Sequence, residues 1–375
     1  MNRTSAAMTA TDSALRHSAN PPPASPPPAS TAAATTTAAL PAWRQALRAH
    51  DGDGTVRGLL SLLLLLCIVF SLLLPGRFAT VDTLQSVLMQ VPELGLLALA
   101  QLLPLISGGI NLGIIASTNM AGLAMAWVLT GGLASWGLDP AAQPLLTLAV
   151  ALAAGALLAL ATGLASGWLV ANVQAHPILV TLGTMSLVNG LCVWLTRGKP
   201  IAGFPEPFLA LGSGSWLGIP LPFWLFCAAT LAMWAYLERS RHGLAVCMVG
   251  SNLEATRYSG IDTRRVLIAV YTISTLMCWL AAVLMMARFN SASAGYAQSY
   301  LLVTVLAAIL GGIDPLGGFG KVAGLFIALL VLQVISSGVN LLGINAQLTQ
   351  AMWGATLIAA MAVRHWAARR RPRRH

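Results

Sequence analysis

Hydroxyl and amide side chains interrupt two otherwise apolar runs of this chain. Thr181, Thr184 and Asn189 stand in one, beside Gly183 and Gly190; Gln333, Ser336, Ser337 and Asn340 stand in the other. Neutral donors and acceptors placed like this either pair with a polar solute or hydrogen-bond one helix to another. Glu93 is the one acid that falls inside a predicted membrane span, where an ionisable group is a functional candidate by default. Pro92 beside it points to a kink near the membrane surface. The six histidines and five cysteines (Cys67, Cys192, Cys227, Cys247, Cys278) show no metal or redox spacing, so no metal or other cofactor is expected. No G-x-x-x-x-G-K-[ST] phosphate loop occurs, because Gly198-Lys199 and Gly320-Lys321 are followed by Pro and Val. Binding of ATP by that route is excluded.

Charge is concentrated elsewhere. Glu238 to Arg265, ERSRHGLAVCMVGSNLEATRYSGIDTRR, carries Arg239, Arg241, Arg257, Arg264 and Arg265 with Glu238, Glu254 and Asp262, in a chain only 9% charged. Its middle, Asn252 to Ser259, reads as a short amphipathic helix. Ser251 or Asn252 caps it, Glu254 lies in its first turn, and Gly260 ends it. A lone surface helix between apolar blocks requires a partner protein or a lipid surface. Two glycine-rich segments also break the apolar pattern: SGGINLG with Gly108, Gly109 and Asn111, and GGIDPLGGFG with Gly311, Gly312, Asp314, Gly317 and Gly318. Broken helices at membrane depth are tolerated where protein or water covers the freed backbone. Each segment is therefore a hinge or path lining, or else a tight interhelical turn, and Asp314-Pro315 favours a turn in the second.

The elements that carry these residues follow from composition. At 57% hydrophobic over 375 residues, the chain is an all-α polytopic membrane protein. Residues 1–55 are rich in Pro, Ala, Ser and Thr and predict a disordered segment. Residues 56–365 form the membrane domain, and 366–375 a basic tail. Charged residues and His176-Pro177 divide the domain into about ten helices, near 59–75, 84–106, 114–131, 144–172, 177–196, 219–237, 266–287, 298–311, 322–342 and 349–363. Ala159, Gly163 and Gly167 repeat every four residues as a packing seam. With ten spans and a cytoplasmic N-terminus, 17 of the Lys and Arg residues fall on the cytoplasmic side and four (Arg77, Arg197, Lys199, Arg288) on the other. That asymmetry places both termini and the polar stretch in the cytoplasm. The net charge of +10 is thus a topological anchor near anionic lipid, and no nucleic-acid partner is expected.

HPILVTLGTMSLVNG (176–190), GSNLEATRYSGID (250–262) and LGGIDPLGGFGKVAG (310–324) together resemble the permease subunits of bacterial ABC importers for ribose, autoinducer-2 and other simple sugars. The resemblance covers about residues 57–365. One segment departs from it: GGINLGII (108–115) has Asn111 where relatives carry an acid and Gly113 where Ser is usual. The neighbouring glycines and access of water predict that an aspartate at 111 is tolerated.

The resemblance implies a transport subunit of a bacterial inner membrane, not an enzyme. It implies a separate ABC ATPase docked on the helix through Gly250, Asn252, Glu254, Ala255, Arg257 and Gly260. It further implies an extracytoplasmic sugar-binding protein and a second permease copy or paralogue. Asn111, Thr181, Thr184, Asn189, Gln333 and Asn340 become candidates for the translocation path. A nucleoside permease of the same type is the near rival, since Gly109-Ile110-Asn111 drifts toward its pattern. A secondary transporter or passive channel is the rival from another class, but an ion-coupled carrier keeps more intramembrane charge than Glu93 alone. A membrane-embedded sugar-transferring enzyme needs clustered acids, and Asp82, Asp139 and Glu206 are scattered.

The basic-residue asymmetry carries a test. Single cysteines at Ser251 and Gly203 label from opposite faces of the membrane. Labelling of both by one impermeant reagent outside intact cells would overturn the ten-span arrangement.

Overall fold

A computed structural model describes residues 52–136, 142–345, 347–356 and 358. The basic tail and residues 1–51 lie outside the described residues. The first helix, α1 (Gly52–Leu73), starts earlier than the composition predicts, so Gly52 to Thr55 belong to it and not to the segment before. It is followed by α2 (Val81–Ile106), α3 (Ile114–Leu129), α4 (Pro144–Val173) and α5 (Pro177–Thr196). A short α6 (Glu206–Ser213) precedes α7 (Leu221–Trp234), which leaves through a π turn at Ala235–Arg239. Then come α8 (Arg241–Ser251), α9 (Leu253–Tyr258), α10 (Thr263–Phe289), α11 (Tyr300–Leu310) and α12 (Val322–Leu341). A last helix covers 347–356.

Among the described residues seven helices are long and apolar enough to cross a membrane; α3 and α11 are shorter apolar helices. That count leaves the expectation of about ten spans unconfirmed. Beyond the helices, the loops hold two antiparallel pairs that the sequence did not announce. Ile201–Ala202 (β1) pairs with Ser291–Ala292 (β4), and Ser215–Trp216 (β2) with Ile219–Pro220 (β3).

The centre is built on α2. Every residue from Val91 to Ile106 is buried, and the segment is apolar on all faces apart from Glu93 and Gln101. A helix without a polar face has to be surrounded, and α10, α11, α12 and α7 enclose this one. Capping is explicit where the chain enters it: Thr80 accepts from Thr83 N at 3.2 Å. Pro104 inside α2 removes the amide that would bond the Ala100 carbonyl. Ser274 of α10 replaces it, donating from Oγ to Ala100 O at 2.7 Å.

The second packing surface joins α4 to α10. Ala159, Gly163 and Gly167 are buried along it. A Cβ at Gly163 would stand 2.9 Å from Thr272 Cα, and one at Gly167 would stand 2.9 Å from Ile268 Cα. Both neighbours are main-chain atoms, which have no rotamer to yield. Close backbone approach through small residues is how helices associate in lipid.

Gly163→Ala is expected to lower the thermal midpoint of the detergent-solubilised protein, with an overpacking cost of roughly 1–3 kcal/mol. Gly183→Ala on α5 serves as the control, because a Cβ there meets nothing within 4 Å. Equal midpoints for the two variants in a thermal-shift measurement would remove the seam from the argument.

Candidate functional site

The polar stretch between α7 and α10 folds as two helices and not one. Ser240 caps α8 by accepting from Gly243 N at 3.1 Å. Gly243, Ala245, Val246 and Val249 are buried, and α8 lies against α10 and α2. This anchoring helix went unread because charged residues dominate its surroundings. Asn252 then ends α8 and caps α9, its Oδ1 accepting from Ala255 N at 2.9 Å. Glu254 lies in the first turn and Arg257 in the last, and Gly260 turns the chain with φ 79°. Of the six residues of α9, Thr256 is the one that is buried among the described residues. Leu253 is 46% exposed and Tyr258 91% exposed, with Glu254, Ala255 and Arg257 also outward.

Gly250 ties this pair of helices to both glycine-rich segments. A Cβ at Gly250 would overlap the carbonyl oxygen of Ile106 and stand 2.6 Å from Gly318 N. Gly318 N itself donates to Ile106 O at 2.8 Å. A Cβ at Gly317 would meet Gly108 Cα at 2.7 Å and Gly250 O at 2.9 Å. Gly108, Gly317 and Gly318 all have positive φ, between 83° and 93°. Three main chains therefore touch where only glycine fits.

Both segments are tight turns between consecutive helices. In the second, Gly312 has φ 86°, Asp314 Oδ1 accepts from Leu316 N at 3.0 Å, and Gly317 N donates to Asp314 O at 3.0 Å. A Cβ on Gly311 would lie 2.8 Å from Leu325 Cα, and one on Gly109 would lie 2.9 Å from Pro177 Cβ.

Asn111 sits in the first turn with 2% of its surface exposed. Its Nδ2 donates to Ser274 Oγ at 2.9 Å, and its Oδ1 accepts from Gly113 N at 3.0 Å. The Gln101 amide, oriented to satisfy its neighbours, donates to Asn111 O at 2.9 Å and accepts from Asn111 N at 3.3 Å. Thr181 is fully buried, its Oγ1 within hydrogen-bond reach of two carbonyls, Pro177 O at 2.9 Å and Ile110 O at 3.0 Å. The room and water foreseen around Asn111 are thus taken up by a closed hydrogen-bond network. Thr184 is spent locally, donating to Val180 O at 3.0 Å. Asn189 Oδ1 is buried without a hydrogen-bond partner among the described residues.

Gln333 and Asn340 belong to a different place. With Ser336 they line an open cavity of about 460 Å³. Neither Asn111 nor Thr181, Thr184 or Asn189 reaches it, so the two polar rows do not share a lining. Gln333 Nε2 donates to Gln90 Oε1 at 2.8 Å. Glu93, 2% exposed, also borders the cavity; its Oε1 pairs with Arg288 Nη1 at 2.9 Å, and Tyr300 Oη donates to its Oε2 at 3.2 Å. Gln90, Arg288 and Tyr300 were missed in the sequence. The signal for Arg288 was available, since a buried intramembrane carboxylate needs a cation.

The family described as branched-chain amino acid transport system / permease component matches residues 83–361. The ribose import permease protein of Escherichia coli (strain K12) is 32% identical over 311 residues, 82% of this chain and 92% of that protein. That of Bacillus subtilis (strain 168) is 33% identical over 301 residues, 80% and 89% of the two chains. The L-arabinose transport system permease protein of Escherichia coli (strain K12) is 29% identical over 304 residues, 81% and 88%. No solved structure matches the chain.

The closed network around Asn111 makes a specific demand. An aspartate there loses the donor to Ser274, whose proton is already committed to Ala100 O. Two oxygens then face each other, or Ala100 loses its partner; an unsatisfied buried group costs roughly 1–3 kcal/mol, and more when charged. Asn111→Asp is expected to lower membrane abundance and the thermal midpoint. Wild-type values for both would show that the network reorganises freely.

Proposed function

The chain belongs to this family of transport-system permease components, and we propose that it is the membrane-spanning permease of an ATP-driven importer of simple sugars. It is a multi-pass membrane protein of a transport system, not an enzyme. Three relatives named for ribose and L-arabinose transport, each aligned over about four-fifths of this chain, supply the substrate class. About ten helices cross the bacterial inner membrane with both termini cytoplasmic, on the strength of the basic-residue asymmetry. Two copies, or this chain and a paralogue, form one path. An extracytoplasmic binding protein delivers the sugar.

The energy comes from a separate ABC ATPase that docks on α9. The observation that carries this reading is the contrast within the polar stretch. α9 is capped and uncovered, while its neighbour α8 buries its Gly243, Ala245, Val246 and Val249 face. A six-residue helix is marginal in water by itself, so its order depends on what it is attached to and what covers it. Gly250 sits at the root of α9 and touches the turns after α2 and before α12. A push on α9 therefore bears directly on the two places where the membrane helices are broken.

Glu254→Lys reverses a charge on the exposed face and at the helix N-terminus, where the dipole contribution is about 1 kcal/mol or less. That is too little to unfold the domain. The variant is expected at normal abundance in the membrane, with weakened co-purification of the ATPase and lost uptake. Full uptake with intact ATPase association would move the docking site away from this residue.

A further inference from the structure

We infer that the cavity bordered by Gln90, Glu93, Arg288, Gln333, Ser336 and Asn340 is a binding site for a neutral monosaccharide in transit. The inference rests on the importer reading above and adds to it the place and chemistry of contact. At about 460 Å³ the cavity is within the ordinary range for a small-molecule site, roughly 300–1,000 Å³.

The polar groups it presents are of one kind. Gln333, Ser336 and Asn340 are spaced three and four residues apart on α12, so one helix face carries an amide, a hydroxyl and an amide. The bond between Gln333 and Gln90 uses one donor and one acceptor. It leaves further N–H groups on both amides, since each carboxamide has two donors. Asn340 is exposed. Such groups complement hydroxyls, which donate and accept alike. Tyr300 and Trp353 add aromatic surface to the wall, suited to the C–H face of a sugar ring.

The charges in the wall cancel. Glu93 is held by Arg288 and Tyr300, and Arg288, which lines the cavity, keeps its side chain 31% exposed. With Glu93 and Arg288 paired, the wall offers no separate anion to hold the ammonium of a zwitterion such as an amino acid. A neutral polyol takes the spare N–H groups of Arg288 and the amides without disturbing that pair. Glu93 is a positioning residue here, fixing the guanidinium through the 2.9 Å contact.

Among the described residues none of the five native cysteines lines the cavity, which makes a thiol-protection test clean. Asn340→Cys, in the full chain with its ATPase in membrane vesicles, is alkylated with a small neutral maleimide. D-ribose, L-arabinose, D-galactose and L-leucine are each added at concentrations that saturate uptake or, for those not transported, at the same concentration. The sugar that supports ATP-driven uptake is expected to slow alkylation several-fold, with L-leucine inert and a Ser251→Cys control unaffected. Ser336→Cys, on the same helix face, replaces Asn340→Cys if the latter fails to reach the membrane. Gln333→Leu is expected to raise KM for that sugar several-fold at unchanged abundance. ATP-driven uptake of a sugar without protection would overturn the site and leave the importer reading intact. Protection by L-leucine alone would overturn the assignment of a neutral ligand, and absence of any ATP-driven sugar uptake would overturn both readings.

Discussion

The amide of Gly318 and the carbonyl of Ile106 meet at 2.8 Å, and this one hydrogen bond joins the two interruptions in the membrane domain. Ile106 is the last residue of α2, so its carbonyl has no partner within the helix. Gly318 lies in the turn before α12, and its amide is likewise outside any helix. Each break supplies what the other lacks. The exchange depends on Gly108, Gly250, Gly317 and Gly318 having no side chains, because any Cβ at Gly250 or Gly317 would force the strands of chain apart. A buried polar group left without its partner costs roughly 1–3 kcal/mol, so the junction favours closure as a unit. α9 starts three residues after Gly250, so its position depends on this junction.

Polar groups inside the domain divide into closed and open systems. Around Asn111 every donor named is matched by an acceptor, and the serine that completes the set also repairs the gap left by Pro104. Such a network holds three segments together and offers nothing to a solute. Around Gln333 the pairing is incomplete by design of geometry: two amides share one bond, and Asn340 is free to turn outward. Identical residue types thus serve as mortar in one place and as a surface in another. The difference lies in how many of their bonds the protein itself uses.

Helices were legible because apolar runs bounded by charge and proline leave few alternatives; His176-Pro177 separated α4 from α5 at the right residue. The cap at Asn252 and the stop at Gly260 were readable for a similar reason, since both are local. Contacts between distant segments were not. Nothing in the spacing of Thr181 and Asn111 says that one clasps the backbone beside the other, while Gln333 faces away with Gln90. In the sequence Arg288 reads as a marker of sidedness, although Glu93, 195 residues earlier, requires it. α8 escaped notice because its buried face consists of Gly, Ala and Val, too small to stand out among arginines.

Helix length does not follow the thickness of a bilayer in this protein. α11, with 11 residues, is about 16 Å long, and α4, with 30, is about 45 Å. The hydrocarbon slab is roughly 30 Å thick, so neither matches it. α11 is largely buried and has little lipid to match. α4 and α5 instead turn Leu157 and Leu179 outward, both more than 60% exposed on this chain. Mismatch strain from a thicker or thinner bilayer is therefore borne by the outer helices, through tilt. The buried α2 and α11, which border the cavity, are insulated from it, and membranes of different thickness are expected to reorient the rim of the protein before they disturb its centre.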